Sequence, residues 1–216
     1  SINKINAIGI IPARMGASRF PGKPLAKIHG IPMIGHCYYR AKMSRSLQQV
    51  YVATCDEEIA DYIKSIGGVA IMTSPDHERA TDRTAECLLK IESATNISPE
   101  VVVMIQGDEP MLVPEMIDAS LEPMMTNSHI QVVNLMSYLD DVDEQKDTNE
   151  IKVVFDNNFN ALYFSREAIP YSKNKEGSYK QVCIIPFRIY YLLQFAKISQ
   201  SNLEKLESID MLRVLE

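Results

Sequence analysis

Apolar residues run along the first half of the chain in two alternating rhythms. "AIGIIP" (7–12), "QVYVAT" (49–54), "VAIMT" (69–73) and "VVVMIQ" (101–106) are short, continuous and rich in β-branched residues. That pattern predicts strands buried on both faces. Between them, "MIGHCYYRAKMS" (33–44), "DEEIADYIKSIGG" (56–68), "TAECLLKIESA" (84–94) and "VPEMIDASLEPMM" (113–125) repeat apolar positions at helical spacing. The helix at 56–68 carries acids in its first turn and Gly-Gly at its end, as the helix dipole and C-cap rules favour. Pro114 sits near the first turn of the last of these helices, where its missing N–H costs nothing.

Strand and helix thus alternate through residue 125, which predicts a parallel sheet covered by helices. Beyond it the rhythm changes. "HIQVVNLMSY" (129–138), "IKVVFD" (151–156), "NALYFSR" (160–166) and "KQVCIIPFR" (180–188) read as strands with short links, and "FDNNFNA" as a hairpin turn. The acidic stretch 139–150 and the polar stretch 171–179 read as loops. Residues 202–216 predict one helix with Leu203, Leu206, Ile209, Leu212 and Leu215 on one face. No Pro/Ser-rich linker divides the chain. The prediction is an α/β fold class: a single Rossmann-like domain over 1–216, with a mostly parallel central sheet flanked by helices and a smaller mixed-sheet extension.

Composition narrows the function classes. The 216 residues are 46% hydrophobic and 23% charged, with a formal net charge of −6. A general nucleic-acid binder is more often basic. No run of about 18 apolar residues predicts a membrane span, and no signal peptide is visible. The four cysteines are far apart, which predicts reduced thiols rather than a disulfide frame or a zinc site.

Against that acidic background, "ARMGASRFPGK" (13–23) collects Arg14, Arg19 and Lys23 directly after the first strand. In an open α/β sheet, ligands bind outside the carboxyl ends of the strands. Gly16, Ala17 and Ser18 let backbone N–H groups approach phosphate oxygens, the guanidinium forks match phosphate geometry, and Lys23 adds a point charge. The stretch is neither GxxxxGK[ST] nor GxGxxG. Taken alone it also reads as a basic surface loop. "QGDEP" (106–110) follows the most apolar strand, so Asp108 falls at the same sheet edge. A carboxylate beside a polyphosphate suits Mg²⁺; taken alone the stretch reads as an Asx turn before Pro110. A basic loop and an acid at one edge form the layout for nucleotidyl transfer. In "TSPDHERATDRTAE" (73–86), Thr81 or Asp82 is expected to cap the next helix, and Arg83 could face the same pocket. Nothing in the spacing marks His77 as a base.

Taken in order, "IPARMGASRFPGKPLAKIHGIPMIGHCYYRA", "VYVATCDEEI", "MTSPDHERATDR", "QGDEPML" and "NALYFSREAIPY" resemble the 3-deoxy-manno-octulosonate (KDO) cytidylyltransferases, or CMP-KDO synthetases, over nearly the whole chain. The resemblance implies transfer of CMP from CTP to a 2-keto-3-deoxy sugar acid, with release of pyrophosphate and use of Mg²⁺. It implies a cytoplasmic homodimer serving lipopolysaccharide synthesis, with 1–125 as the nucleotide-binding part and 126–216 as the sugar-binding and dimerisation part. It assigns Arg14, Arg19 and Lys23 to the CTP phosphates as the catalytic cations. Ala13, Gly16, Arg83 and Gln106 fall beside the nucleotide, and Asp108 on the metal. Arg166, Gln181, Glu204 and Glu207 fall in the sugar pocket.

The chain departs from the family pattern in three places. Arg79-Ala80 replace Ser-Gly before "TDR". Gln181 and Phe187 stand where the family carries His and Tyr, which changes the hydrogen-bond inventory of the pocket and opens the choice of sugar acid beyond KDO. The second metal-binding Asp of the family follows the "LRxLE" segment; Asp210 lies too early to be it. The readings are therefore KDO activation, the same chemistry on another nonulosonic or amino-substituted acid, or a nucleotide-binding homologue without catalysis.

Overall fold

The structure is a computed structural model and describes residues 4–16, 21–107 and 111–216. In chain order it forms β1 (Ala7–Ala13), β2 (Lys27–Ile28), β3 (Ile31–Pro32), α1 (Met33–Lys42), β4 (Leu47–Thr54), α2 (Glu57–Ser65), β5 (Val69–Met72), α3 (Ala80–Ala94), β6 (Val101–Ile105) and α4 (Pro114–Thr126). Then follow β7 (Met136–Leu139), α5 (Val142–Lys146), β8 (Lys152–Phe155), β9 (Ala161–Ser165), β10 (Ser178–Gln181), β11 (Ile184–Arg188), α6 (Ile189–Lys197), α7 (Asn202–Glu207) and α8 (Leu212–Leu215).

These elements make two compact units. The first comprises residues 1–133 and 183–196, the second 134–182 and 197–216. In the first unit one sheet has the order β11-β6-β1-β4-β5. β1 pairs with β4 and β6, and β4 with β5, all in parallel; β11 runs antiparallel on β6. Every residue of β6 is buried, as the unbroken apolar run predicts. Ile8, Ile10 and Ile11 of β1 are fully buried, as are Ile34, Ile59, Ile63, Leu88 and Ile91 of the covering helices. Each such side chain contributes roughly 1.5–3 kcal/mol over leaving it in water. The right-handed crossover rule puts α1 and α2 on one face and α3 on the other.

The second unit holds a four-stranded sheet of order β7-β10-β8-β9, antiparallel throughout rather than mixed. Further expectations need correcting here. The run 180–188 is not one strand: β10 belongs to the second sheet and β11 to the first, because the chain leaves one ladder at Val182 and enters the other at Ile184. The run 202–216 is not one helix. Ser208 adopts a left-handed conformation at φ 58 and ends α7, and Leu206 is 74% exposed instead of buried. Neither Thr81 nor Asp82 caps α3, which begins earlier, with Arg79 at the N-cap and both residues inside the helix. The acidic stretch 139–150 also folds a short helix, α5, capped by the Asp141 carboxylate accepting from the Asp143 N–H.

Candidate active site

The nucleotide-side candidates gather at the carboxyl edge of the first sheet. The winding reverses at β1, which lies between β4 and β6, and such a switch point opens a crevice for ligands. Ala13 ends β1 opposite Thr54 of β4. Arg14 and Gly16 follow it and are exposed. The Met15 N–H donates to Asp56 Oδ2 at 2.8 Å, which ties the basic loop to the start of α2. The Gly22 N–H donates to the Met15 carbonyl at 2.9 Å, and Gly22 sits at φ 79, a conformation that favours glycine. Lys23 then opens a 3-10 turn, half-buried, with Pro24 behind it. Arg19 and Asp108 lie outside the described residues.

At the end of β6 the Gln106 N–H donates to the Cys183 carbonyl at 3.1 Å. Gly107 follows, its carbonyl accepting from the Cys37 thiol at 3.1 Å. A Cβ on Gly107 would meet Ile34 Cδ1 at 2.8 Å, with Ile11 and Ala13 just behind. Gly107 therefore leaves the sheet in close contact with β1 and α1, and the missing Cβ is what lets it do so.

Arg83 is 3% exposed in the first turns of α3. Its Nη1 donates to Thr73 Oγ1 and to the Ser74 carbonyl at 3.0 Å. Its Nη2 is buried and has no hydrogen-bond partner among the described residues. A buried guanidinium N–H left unmade costs roughly 1–3 kcal/mol, and an anion would recover it. His77 is engaged differently: its Nε2 lies 2.8 Å from Glu86 Oε1, and the same carboxylate takes the Ser74 N–H at 3.1 Å. Burial alone would raise the Glu86 pKa, but hydrogen bonds from His77, Ser74 and Lys90 and the Lys90 charge outweigh it and hold the carboxyl below its ordinary value. Glu86 thus pins the loop that presents Thr73 and Ser74 to Arg83.

The sugar-side candidates all lie in the second unit. Arg166 follows β9. Its Nε donates to the Glu207 carbonyl at 2.6 Å, Nη2 to the Ser208 carbonyl at 2.8 Å and Nη1 to the Thr148 carbonyl at 2.9 Å. The Glu207 carboxylate in turn accepts from the Arg166 N–H at 3.2 Å and the Tyr163 hydroxyl at 3.0 Å. Burial would raise the Glu207 pKa, yet the bonds from Ser165, Arg166 and Tyr163, with the Arg166 charge, draw it below the ordinary range. The Tyr163 hydroxyl moves up, first through burial and then through Glu207.

Gln181 is buried in β10; its amide nitrogen donates to Asn134 Oδ1 and its N–H to the Ile151 carbonyl at 2.7 Å. Glu204 does not join Arg166 and Glu207. It is 0% exposed and holds Arg213 by two bonds, 2.8 and 2.7 Å, while its Oε1 also takes the Ser201 N–H in a capping box. Phe187 is fully buried against Phe195, with ring centroids 6.1 Å apart, and is core of the first unit.

Three residues with evident work here carried little signal in the sequence. Asp56 was readable only as the start of an acidic helix, Tyr163 as one position of a strand. Lys152, inside the apolar run "IKVVF", was marked by being the one charge there. Among the described residues no three His, Cys, Asp or Glu side chains gather to hold a metal ion. No helix of the described residues is long and apolar enough to cross a membrane.

Comparison with known proteins shows the family. The cytidylyltransferase family model matches residues 8–216. A 3-deoxy-manno-octulosonate cytidylyltransferase of Thermodesulfovibrio yellowstonii is 40% identical, over 97% of this chain and 86% of its own. An 8-amino-3,8-dideoxy-manno-octulosonate cytidylyltransferase of Shewanella halifaxensis is 38% identical, over 98% and 86%. A solved structure of a CMP:2-keto-3-deoxy-manno-octonic acid synthetase complexed with CTP superposes with a TM-score of 0.85 at 37% identity, over 97% of this chain and 85% of that one. The chain belongs to the cytidylyltransferase family, as a nucleotidyltransferase of its 3-deoxy-manno-octulosonate cytidylyltransferase group.

Proposed function

We propose that this protein transfers CMP from CTP to KDO or its 8-amino relative and releases pyrophosphate. One observation carries the nucleotide half: Arg83, buried, with Nη2 unsatisfied at the carboxyl edge of the sheet. Among the described residues nothing meets that group, and a phosphate oxygen of the nucleotide would. Arg14, Arg19 and Lys23 stabilise the leaving pyrophosphate, Ala13 and Gly16 let the nucleotide lie against the backbone, and Gln106 flanks it. The C2 hydroxyl oxygen of the sugar acid bonds to the α-phosphorus, the bond to the bridging oxygen breaks, and the hydroxyl proton passes to solvent. The cations lower this barrier by meeting charge where it develops.

Magnesium is the ion this reading calls for: Asp108, next in sequence to Gly107, is the carboxylate that would hold it, and one carboxylate with phosphate oxygens is a set that Mg²⁺ takes. When bound, the ion would supply neutralisation of the phosphate charge. On the sugar side, Arg166, Gln181 and Glu207 are the recognition set, with Glu204 holding the framework. The relatives named for the 8-amino sugar support that acid as the second substrate to test.

The reading extends to a homodimer. Phe155 packs edge-on against Tyr179 at 5.1 Å and stacks on Phe159 at 5.6 Å, and Tyr179 meets Tyr138 at 5.4 Å. Tyr138 is 49% and Phe159 74% exposed, an aromatic face of the second sheet that suits a second copy. The proposal carries with it a cytoplasmic location and a role ahead of lipopolysaccharide assembly.

The test is pyrophosphate release with CTP and Mg²⁺, with KDO and then with the 8-amino acid, in wild type and in Arg83→Met. Release that depends on the sugar acid, with the CTP KM of Arg83→Met raised by about tenfold or more, is expected. CTP binding without release on any sugar acid would overturn the enzyme reading in favour of a binding homologue.

A further inference from the structure

Lys152 lies in β8 and is fully buried, at 0% exposure. Taking a lysine ammonium out of water is costly unless each of its N–H groups is met. Here three carbonyls meet them: Glu150 at 2.6 Å, Asp147 at 2.8 Å and Arg166 at 2.5 Å. Among the described residues no acid side chain bonds the ammonium directly, although Asp147, Glu150 and Glu167 lie near enough to favour its charge, and Arg166 opposes it. Burial is the largest influence and draws its pKa below the ordinary lysine value of 10.5.

What Lys152 holds is more telling than its burial. Two of its acceptors belong to the segment 147–150, and the third is the backbone of Arg166. The Arg166 guanidinium returns to that same segment through the Thr148 carbonyl. It also reaches Glu207 and Ser208 at the end of α7, and its N–H meets the Glu207 carboxylate. Two cations thus brace one loop, and the second of them also carries Glu207. Removing the ammonium would take away the donor that all three carbonyls share and release the backbone from which the Arg166 side chain projects.

We propose that Lys152 is a positioning residue for the sugar-acid half of the reaction, holding Arg166 and, through it, Glu207 in the geometry that binds the sugar acid. The inference rests on the reading of Arg166 and Glu207 as sugar-recognition residues. Lys152 itself does not touch substrate. Its contribution appears as pre-organisation, so it affects sugar-acid affinity and leaves the nucleotide half untouched.

The experiment is steady-state kinetics of the full chain with Lys152→Met, which keeps the stem length, and with Lys152→Gln, which keeps part of the donor set. Both KM values, kcat and the thermal midpoint are read. A rise in sugar-acid KM of about tenfold for Met and less for Gln, with CTP KM within about twofold, is the expected split. A falling thermal midpoint with unchanged sugar-acid KM, or equal changes in both KM values, overturns the inference. If Lys152→Met does not fold, the wild-type ammonium decides: its ¹⁵Nζ resonance should shift on saturation with the sugar acid and not with CTP alone. A resonance indifferent to the sugar acid overturns the inference. Absence of sugar-dependent pyrophosphate release in the wild type would defeat the functional reading as well. Normal wild-type release with an unmoved Lys152→Met KM would defeat this inference alone.

Discussion

Replacing Arg213 by Met tests whether Glu204 is framework or pocket. The two side chains are 2% and 0% exposed and join through Nε to Oε1 at 2.8 Å and Nη2 to Oε2 at 2.7 Å. Met keeps most of the stem and removes the charge. Glu204 then stays buried with its countercharge gone and the Ser201 N–H as a remaining donor. Breaking one side of a buried ion pair costs about 3–5 kcal/mol, because the other charge is left uncompensated. At about 2–4 °C per kcal/mol for a chain of this size, the thermal midpoint should fall by roughly 6–20 °C. Circular dichroism on heating and urea titration give the two measures. The double variant Glu204→Leu/Arg213→Met should recover most of the loss, since removing both charges of a buried pair is often close to neutral. Glu204→Gln should lower stability and leave the sugar-acid KM near wild type. A midpoint for Arg213→Met within about 1 kcal/mol of wild type would refute the reasoning. So would a Glu204→Gln variant of full stability with a raised sugar-acid KM.

Two further outcomes follow from the same geometry. Gly107→Ala puts a Cβ 2.8 Å from Ile34 Cδ1, whose side chain is itself fully enclosed, so about 1–3 kcal/mol of stability should be lost and turnover should fall with it; unchanged urea midpoint and turnover would contradict the packing described. Glu207 has a folded pKa below its ordinary 4.5, so the unfolded chain binds the extra proton; its stabilisation is full above that value and is lost as pH falls through the lowered one. Stability measured from neutral pH downward should therefore fall less steeply in Glu207→Gln than in wild type over that acid window, and parallel curves would argue against the Glu207 clamp.

The parallel sheet was legible because its strands are buried on both faces and need no alternation to be recognised. "VVVMIQ" and "AIGIIP" sit within a residue of their predicted bounds. The second unit was harder for physical reasons. In "KQVCIIPFR" the apolar run continues while the chain changes sheets, and hydrophobicity does not record which ladder a residue joins. "IYYLLQFAK" follows β11 directly as α6, with no turn residue between them to mark the start. In 202–216 the leucines keep helical spacing through a break that depends on the left-handed backbone of Ser208. The same limit governs the site. Arg14, Lys23 and Arg83 could be singled out as cations at strand ends, but Glu204 shares the spacing of Glu207 and only packing separates a countercharge for Arg213 from a neighbour of Arg166.

The interleaving of the two units along the chain bears on how the molecule is made. β11 closes the exposed edge of β6, yet the residues that form it come after the whole inserted segment 134–182. A chain emerging from the ribosome therefore carries β1, β4, β5 and β6 with the β6 flank unpaired until Ile184–Arg188 is synthesised. Open strand edges invite pairing with other chains. Closing a long loop costs only about 0.6 kcal/mol more for each doubling of its length, so the insertion is cheap at equilibrium. Its burden is timing: late, long-range pairing slows assembly and lengthens the interval in which that flank can meet a neighbour.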